Sequence, residues 1–86
     1  MIRMAYARFG WEGSDVYIFL SVYGKLDCCA CSIESGYQAN STDEMLAHLN
    51  QHIEAGDTVP DSCFEYLMRD KEENDLYIKE YLNKNT

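Results

Sequence analysis

Two cysteines and two histidines follow one another in the order C-x2-C-x16-H-x3-H, at Cys28, Cys31, His48 and His52. Thiolate sulfur and imidazole nitrogen are the usual donors of tetrahedral zinc sites, and two cysteines separated by two residues commonly supply half of such a site. Histidines four residues apart on a helix point the same way, with Cβ atoms about 5–6 Å apart. The spacing therefore predicts one zinc ion held by all four side chains. Because four protein ligands leave no open position for water, the predicted ion is structural rather than catalytic.

The assignment of the two sulfur ligands has an alternative, because Cys29 stands beside both of them. With Cys29 in place of Cys28 the pair becomes C-x-C, which suits a tight turn less well. We therefore assign Cys28 and Cys31 and expect Cys29 to be a substitute ligand or a packed thiol. A thioredoxin-like redox motif should open a helix, whereas this one follows a predicted strand. The alternative without a metal is that two reduced cysteines in a hairpin and two ordinary helix histidines have this spacing by chance.

The size of the chain explains why a metal ion would be useful. A chain of 86 residues buries only about 60–65% of the surface that its unfolded form exposes, so its core is marginal and small proteins of this kind often use a staple. Hydrophobic residues make up 47% and charged residues 26% of the chain, as in ordinary globular proteins. We expect residues 1–86 to form a single zinc-binding domain.

The sequence also predicts a compartment. The longest apolar run, residues 16–20, is far too short to cross a bilayer, and residues 1–8 have no apolar core or cleavage site typical of a secretory signal. We therefore expect a protein of the reducing cytoplasm without membrane association. In that compartment clustered cysteines are more often metal ligands than disulfides. The isolated Cys63 is expected to be a buried, small apolar residue.

The charge of the chain limits its partners. Seven basic residues against fifteen acidic ones give a net charge of −8, so the average surface repels phosphate and nucleic-acid binding is disfavoured. A small DNA-binding regulator would need a local basic patch, for which Arg3, Arg8 and Lys25 are thin support. The opposite alternative is an acidic inhibitor that mimics DNA and blocks a nucleic-acid-binding protein.

Strands are predicted in the first third of the chain. Residues 2–9 form a possible strand, residues 10–14 a loop, and the β-rich residues 16–23 the clearest strand. Both faces of that strand are largely apolar, so we expect cover on both sides. Gly24 and Lys25 can form a two-residue turn that returns the chain as a strand at residues 26–28.

A helix follows at Thr42–Glu54. Ser41 and Glu44 form a capping box at its start, and Gly56 suits its end. The spacing of Met45, Leu49 and Ile53 predicts an apolar stripe, with the two histidines at its edge.

A C-terminal helical segment is predicted at residues 61–83, where Ser62 and Glu65 repeat the capping-box pattern. The charged residues 69–75 interrupt its apolar spacing, so one long helix and two shorter ones both remain possible. The whole pattern predicts an α+β fold: a small antiparallel sheet, a zinc-stapled hairpin and helix, and the C-terminal helical segment.

Residues 28–52 resemble a C2H2 zinc finger, with a hairpin that carries C-x2-C, an aromatic residue at Tyr37, an apolar residue at Met45, and H-x3-H. The resemblance implies zinc binding by this stretch. It does not extend to DNA reading, because the predicted helix has no lysine or arginine and begins with Asp43 and Glu44, where base-reading fingers present basic side chains.

More broadly, the chain resembles small zinc-finger-like proteins of bacteriophages that infect actinobacteria, which have no assigned activity. Three segments carry this resemblance: C-C-x-C at residues 28–31, M-L-x-H-L-x-x-H at residues 45–52, and A-G-x-x-V-P at residues 55–60. The resemblance implies a shared zinc-binding fold and an origin in a phage, with action in the host cytoplasm.

The sequence offers little support for catalysis. It has no glycine-rich phosphate loop and no recognisable nucleophile beside a base, since both histidines are assigned to the metal. We therefore expect a non-enzymatic accessory protein that binds a host or phage protein. A run of carboxylates in the C-terminal segment is either a solvated helix face or break, or a docking surface for a basic partner: Asp70, Glu72, Glu73 and Asp75.

Overall fold

The structure is a computed structural model that describes residues 5–21, 24–29, 31, 33 and 36–84. These residues form four short strands followed by three helices. The strands are β1 (Ala5–Ala7), β2 (Tyr17–Leu20), β3 (Leu26–Cys29) and β4 (Gln38–Ala39), and the helices are α1 (Thr42–Glu54), α2 (Asp61–Arg69) and α3 (Lys71–Lys84). The strands pair antiparallel in the order β1-β2-β3-β4. The predicted α+β class with an antiparallel sheet is therefore confirmed.

The first strand is shorter than the sequence predicts. Only Ala5–Ala7 pairs with β2, residues 2–4 lie outside the described residues, and Arg8 and Phe9 already turn away. The chain then makes a 3-10 turn at Trp11–Gly13, which the sequence analysis treated as an irregular loop.

The central strand has one buried face. Ile18 and Leu20 of β2 are buried together with Val16, which precedes the strand, as strict alternation predicts. On the other face Tyr17 and Phe19 are only half-buried, so the expected cover on both sides is incomplete. The last two residues of the predicted strand, Val22 and Tyr23, lie outside the described part of the chain.

The hairpin between β2 and β3 is confirmed, but its predicted turn is wrong. Leu20 pairs with Leu26, and the amide of Ser21 donates to the carbonyl of Lys25 at 2.7 Å. Lys25 is therefore bonded across the hairpin and is not a turn residue. Gly24, which precedes it, has φ 73°, in the left-handed region that glycine adopts without strain.

Helix α1 begins and ends at the residues that the sequence predicts. The Ser41 hydroxyl accepts a hydrogen bond from the Glu44 amide at 3.2 Å. A second, unpredicted cap comes from α3, because the Asp75 carboxylate accepts from both the amide and the hydroxyl of Thr42, at 2.8 and 2.9 Å. The positive end of the helix dipole favours this charge.

The apolar stripe of α1 is narrower than predicted. Met45 and Leu49 are fully buried, but Ile53 is 47% exposed. His48 and His52 are buried as well. Successive residues of a helix are rotated by about 100° around its axis, so the centre of the buried face lies between these four side chains. Ile53 lies at the edge of that face.

The C-terminal segment forms two helices, which decides the question that the sequence left open. They meet at Asp70, whose backbone (φ −96°, ψ 8°) departs from helical values. The predicted cap by Ser62 is wrong, because α2 begins at Asp61 and its N-cap is Pro60, two residues before Ser62. Ser62 lies inside the first turn, and its hydroxyl donates to the Glu12 carboxylate at 2.5 Å.

The junction of α2 and α3 is fixed to the sheet by buried polar groups. The Tyr6 hydroxyl donates to Asp70 at 3.0 Å, and the side-chain amide of Asn74 donates to the Tyr6 oxygen at 2.8 Å. Burial raises the pKa of Tyr6 to about 12. Asp70 also accepts from Arg69 at 2.9 Å. The helix break thus has a specific partner on β1.

The acidic run of the C-terminal segment is not one solvated surface. Asp70 is buried at 5% exposure, and Asp75 is half-buried in its bond to Thr42. Only Glu72 and Glu73 of the four carboxylates are exposed. A docking surface made of all four is therefore ruled out.

The core lies between the inner face of the sheet and the three helices. Its largest members come from every layer: Tyr6, Ile18, Leu26, Met45, Leu49, Leu67 and Ile78. Cys63 is fully buried among them, and burial raises the pKa of its thiol to about 12, in agreement with its predicted role as a small apolar residue. None of the helices in the described part of the chain is both long enough and apolar enough to cross a membrane.

The hairpin loop yields a first testable prediction, for Gly24→Ala. A Cβ at Gly24 would overlap the ring of Tyr81, and the residue has a positive φ. We expect a loss of about 1 kcal/mol from the backbone conformation and of about 1–3 kcal/mol more from the overlap, measured by urea unfolding. Gly13→Ala is the matched control, because Gly13 has φ 77° but open space around its Cβ position. Equal losses in the two variants would contradict the close contact with Tyr81.

Candidate metal centre

The four predicted ligands meet at one point of the structure. Their donor atoms all lie within 4.8 Å of one another. The Cys31 sulfur is 3.2 Å from His48 Nε2 and 3.4 Å from His52 Nε2, and the Cys28 sulfur is 3.5 Å from His52 Nε2. The two Nε2 atoms are 3.2 Å apart.

These separations match the edges of one coordination tetrahedron. With metal–sulfur bonds of about 2.3 Å and metal–nitrogen bonds of about 2.05 Å, tetrahedral angles place sulfur and nitrogen about 3.6 Å apart and two nitrogens about 3.3 Å apart. The observed distances of 3.2–3.5 Å fall close to both values. Four of the six donor–donor separations therefore fit one tetrahedral ion, and all six lie within 4.8 Å.

Strand β3 and helix α1 position the donors. Cys28 lies on the inner, buried face of β3, where its amide donates to the carbonyl of Tyr37 at 3.0 Å. His48 and His52 lie one turn apart on the buried face of α1, with exposures of 2% and 1%. Cys31 follows β3 and is half-buried. An ion at this point would join the sheet to the helix that covers it.

The end of α1 holds His52 through a carboxylate that the sequence analysis missed. Gly56, with φ 96°, closes the helix, its amide donates to the Ile53 carbonyl at 3.0 Å, and the Asp57 amide donates to the His52 carbonyl at 2.9 Å. This pair of bonds is a Schellman motif. It turns the chain so that the Asp57 carboxylate lies 2.8 Å from His52 Nδ1.

That contact fixes the chemical form of His52. A carboxylate only accepts, so Nδ1 donates its proton to Asp57; in the neutral imidazole Nε2 then carries the lone pair, and it points at the other three donors. Carboxylates commonly orient metal-binding histidines in this way. The signal was present in the sequence as an acidic residue directly after the helix-ending glycine, five residues beyond His52.

The second imidazole is held by stacking. The ring of Tyr37 lies parallel to that of His48, with centroids 3.7 Å apart and an angle of 5° between the planes. The two histidine rings are almost perpendicular, at 88°. The aromatic residue that figures in the resemblance to C2H2 fingers therefore contacts a predicted ligand directly.

The burial of Cys28 governs the charge that its sulfur can carry. Burial, with a further contribution from the neighbouring Cys31, raises the pKa of Cys28 to about 12. A thiolate at this position is therefore costly unless a positive charge accompanies it. A divalent ion bound by both sulfurs supplies that charge.

Cys28 contacts His52, and His52 contacts Asp57, in the same order as the cysteine, histidine and carboxylate of a cysteine hydrolase. Such a nucleophile requires an accessible sulfur with a lowered pKa. Cys28 has 1% exposure and a raised pKa, and His52 Nε2 contacts Cys28, Cys31 and His48 at similar distances. The arrangement surrounds a point and does not single out one nucleophile and one base.

Cys29 does not take part in the cluster. It is the exposed neighbour of Cys28 at the end of β3, and successive residues of a strand point to opposite faces. The expectation that Cys29 is a packed thiol is therefore wrong. Its side chain also points away from the cluster, so it is not placed to act as a substitute ligand.

Substitution of single ligands tests the cluster. We expect Cys28→Ser and His52→Ala to lose most of the bound metal and to lower the melting temperature, because each removes a donor and leaves the others buried. Cys29→Ser should keep both quantities at the wild-type value. Elemental analysis and thermal unfolding measure the two effects. Metal loss in Cys29→Ser with retention in Cys28→Ser would reverse the assignment.

Removal of the Asp57 carboxylate tests the orientation of His52. We expect Asp57→Ala to lower metal affinity by about 10–100-fold, the usual effect when the partner of a metal-binding histidine is lost. Competition with a chromophoric chelator measures the affinity. Asp61→Ala is the control, since Asp61 is an exposed carboxylate at the start of α2. An unchanged affinity in Asp57→Ala would show that the contact is incidental.

Comparison with known proteins gives no relative for this chain: no family model, no curated protein and no solved structure matches it. The resemblance to zinc fingers and to phage proteins therefore stays an expectation drawn from the motifs, and the metal centre is argued from its own geometry.

Proposed function

We propose that this protein is a small, non-enzymatic, zinc-binding interaction protein, in which the ion stabilises the fold and the surface binds a protein partner. The observation that carries the proposal is the convergence of the Cys28, Cys31, His48 and His52 donor atoms within 4.8 Å. The remaining parts of the proposal follow from the donor types, the burial of the cluster and the charge of the surface.

Zinc is the metal that the donors favour. Two sulfurs and two imidazoles suit an ion of intermediate softness, and zinc adopts tetrahedral geometry without preference from its d electrons. Calcium and magnesium require oxygen ligands, which the cluster does not offer.

A structural role is supported by the closure of the site. Four protein donors complete a tetrahedral shell, and Cys28, His48 and His52 are almost fully buried. In small zinc peptides such an ion supplies about 10–16 kcal/mol of apparent folding free energy, as much as the whole stability of many domains. For a chain of this size the ion would decide whether the sheet and α1 stay together.

Protein binding is favoured over DNA reading by the exposed face of α1. That face is acidic or neutral throughout: Asp43, Glu44, Ala47, Asn50, Gln51 and Glu54. The chain as a whole carries a net charge of −8, so its average surface repels phosphate. The DNA-mimic alternative draws on the same charge, but two carboxylates of the acidic run, Asp70 and Asp75, are bound inside the protein. Action in the cytoplasm and an origin in a phage belong to the proposal and rest on the cysteine chemistry and the three sequence motifs.

The metal half of the proposal is tested on purified protein. We expect one zinc per chain by elemental analysis and, after removal by a strong chelator, a lower melting temperature and loss of the near-UV circular dichroism. Zinc should restore both, whereas magnesium should not. A metal-free protein that keeps its melting temperature would refute the structural role.

The partner half is tested by capture from a bacterial lysate on immobilised zinc-loaded protein. The control is His52→Ala, which has the same exposed side chains but lacks a ligand. We expect a protein that the wild type retains and the control does not. Tight, salt-dependent binding of bare duplex DNA, with no protein retained, would instead support a DNA-binding regulator.

A further inference from the structure

A small groove lies where the 3-10 turn meets the first turns of α2, away from the metal centre, and one of its residues, Tyr66, also packs against the edge of the core. Trp11, Glu12, Ser62 and Tyr66 line it, and its volume is about 160 Å³. Sites for drug-sized ligands occupy about 300–1,000 Å³. The groove is therefore of a size for one long side chain rather than for a whole small molecule.

The carboxylate in this groove is held in place. Glu12 has φ 51°, an uncommon backbone conformation for a residue with a side chain, and its Oε2 accepts from the Ser62 hydroxyl at 2.5 Å. The loop that carries it is joined to the segment before α2, because the Asp15 amide donates to the Thr58 carbonyl at 2.9 Å and the Thr58 amide donates to the Asp15 carboxylate at 2.7 Å. The groove is thus formed before any partner arrives.

The two rings of the groove already attract cations within the protein. The Arg8 guanidinium lies 5.9 Å from the Trp11 ring centroid, and that of Arg69 lies 4.8 Å from the Tyr66 centroid. Neither arginine lines the groove: Arg8 lines a separate groove on the open face of the sheet, and Arg69 is paired with Asp70. Glu12 is therefore the charged residue of the lining.

The surroundings add negative charge. Asp61 and Glu65 are exposed on α2 beside Ser62 and Tyr66, and Glu65 lies on the same helix face as Ser62, three residues away. Aromatic faces together with a carboxylate are a common way to recognise cationic groups. An anion, by contrast, would meet Glu12 and the overall charge of −8.

We propose that this groove binds a lysine or arginine side chain of a basic protein partner, which packs between Trp11 and Tyr66 and pairs with Glu12. The inference rests on the proposed function only in taking the partner to be a protein. It adds the chemistry that the partner must present, and it places the contact away from the metal centre.

The chain offers a built-in probe, because Trp11 is its one tryptophan. We expect tetralysine and tetra-arginine peptides to change the Trp11 emission of the zinc-loaded protein along a saturable curve, and tetraglutamate to leave it unchanged. Glu12→Gln, which keeps the shape of the side chain, should weaken tetralysine binding at least fivefold. Tyr66→Leu should weaken it by a similar factor through loss of one ring.

Glu80→Gln is the matched control, since it removes the same charge from an exposed site on α3; we expect less than a twofold change. Equal weakening in Glu12→Gln and Glu80→Gln, or no saturable response up to millimolar tetralysine, would overturn the proposal. Zinc content and circular dichroism are measured on the same samples. A folded, zinc-loaded protein without a peptide response therefore rejects the groove alone, whereas absent zinc rejects the metal centre.

Discussion

The meeting of β3 and α1 at four donor atoms is the constraint on which the rest of the fold depends. The two histidines lie on the buried face of α1, next to Met45 and Leu49. Two buried imidazoles and a buried thiol cost free energy unless their polar atoms are satisfied. An ion at their centre would satisfy both Nε2 atoms and the sulfurs at once and would link the sheet to the helix.

Other polar contacts also hold the helices in place, because the apolar faces of these helices are small. Asp75 joins the start of α1 to α3, Asp70 joins the break between α2 and α3 to Tyr6 of β1, and Asp57 orients His52 at the end of α1. Of these three carboxylates, Asp70 is buried, whereas Asp57 and Asp75 are half-buried. The charge of Asp70 is therefore not part of the surface that a partner meets.

Local signals predicted the parts of the fold that local chemistry decides. The capping residue Ser41 and Gly56 set the two ends of α1. The four-residue spacing of the two histidines placed their donor atoms on the same side of the helix. Other parts of the fold had a weak or competing local signal, or depended on contacts between distant segments. The start of α2 depends on Pro60, and the strand β4 has only two residues, too few for a pattern. The burial of Asp70 depends on Tyr6, sixty-four residues away in sequence.

Helix α1 is secured differently at its two ends. Its first turn is held by Ser41 and Asp75, which need no ion, whereas its last turns carry the two candidate ligands and the Schellman motif. Release of the ion would therefore not melt the helix uniformly. Amide hydrogens near His52 would exchange with solvent early, while those near Met45 would stay protected. The helix would thus fray from its C-terminal end, and hydrogen exchange there would indicate whether the site is occupied.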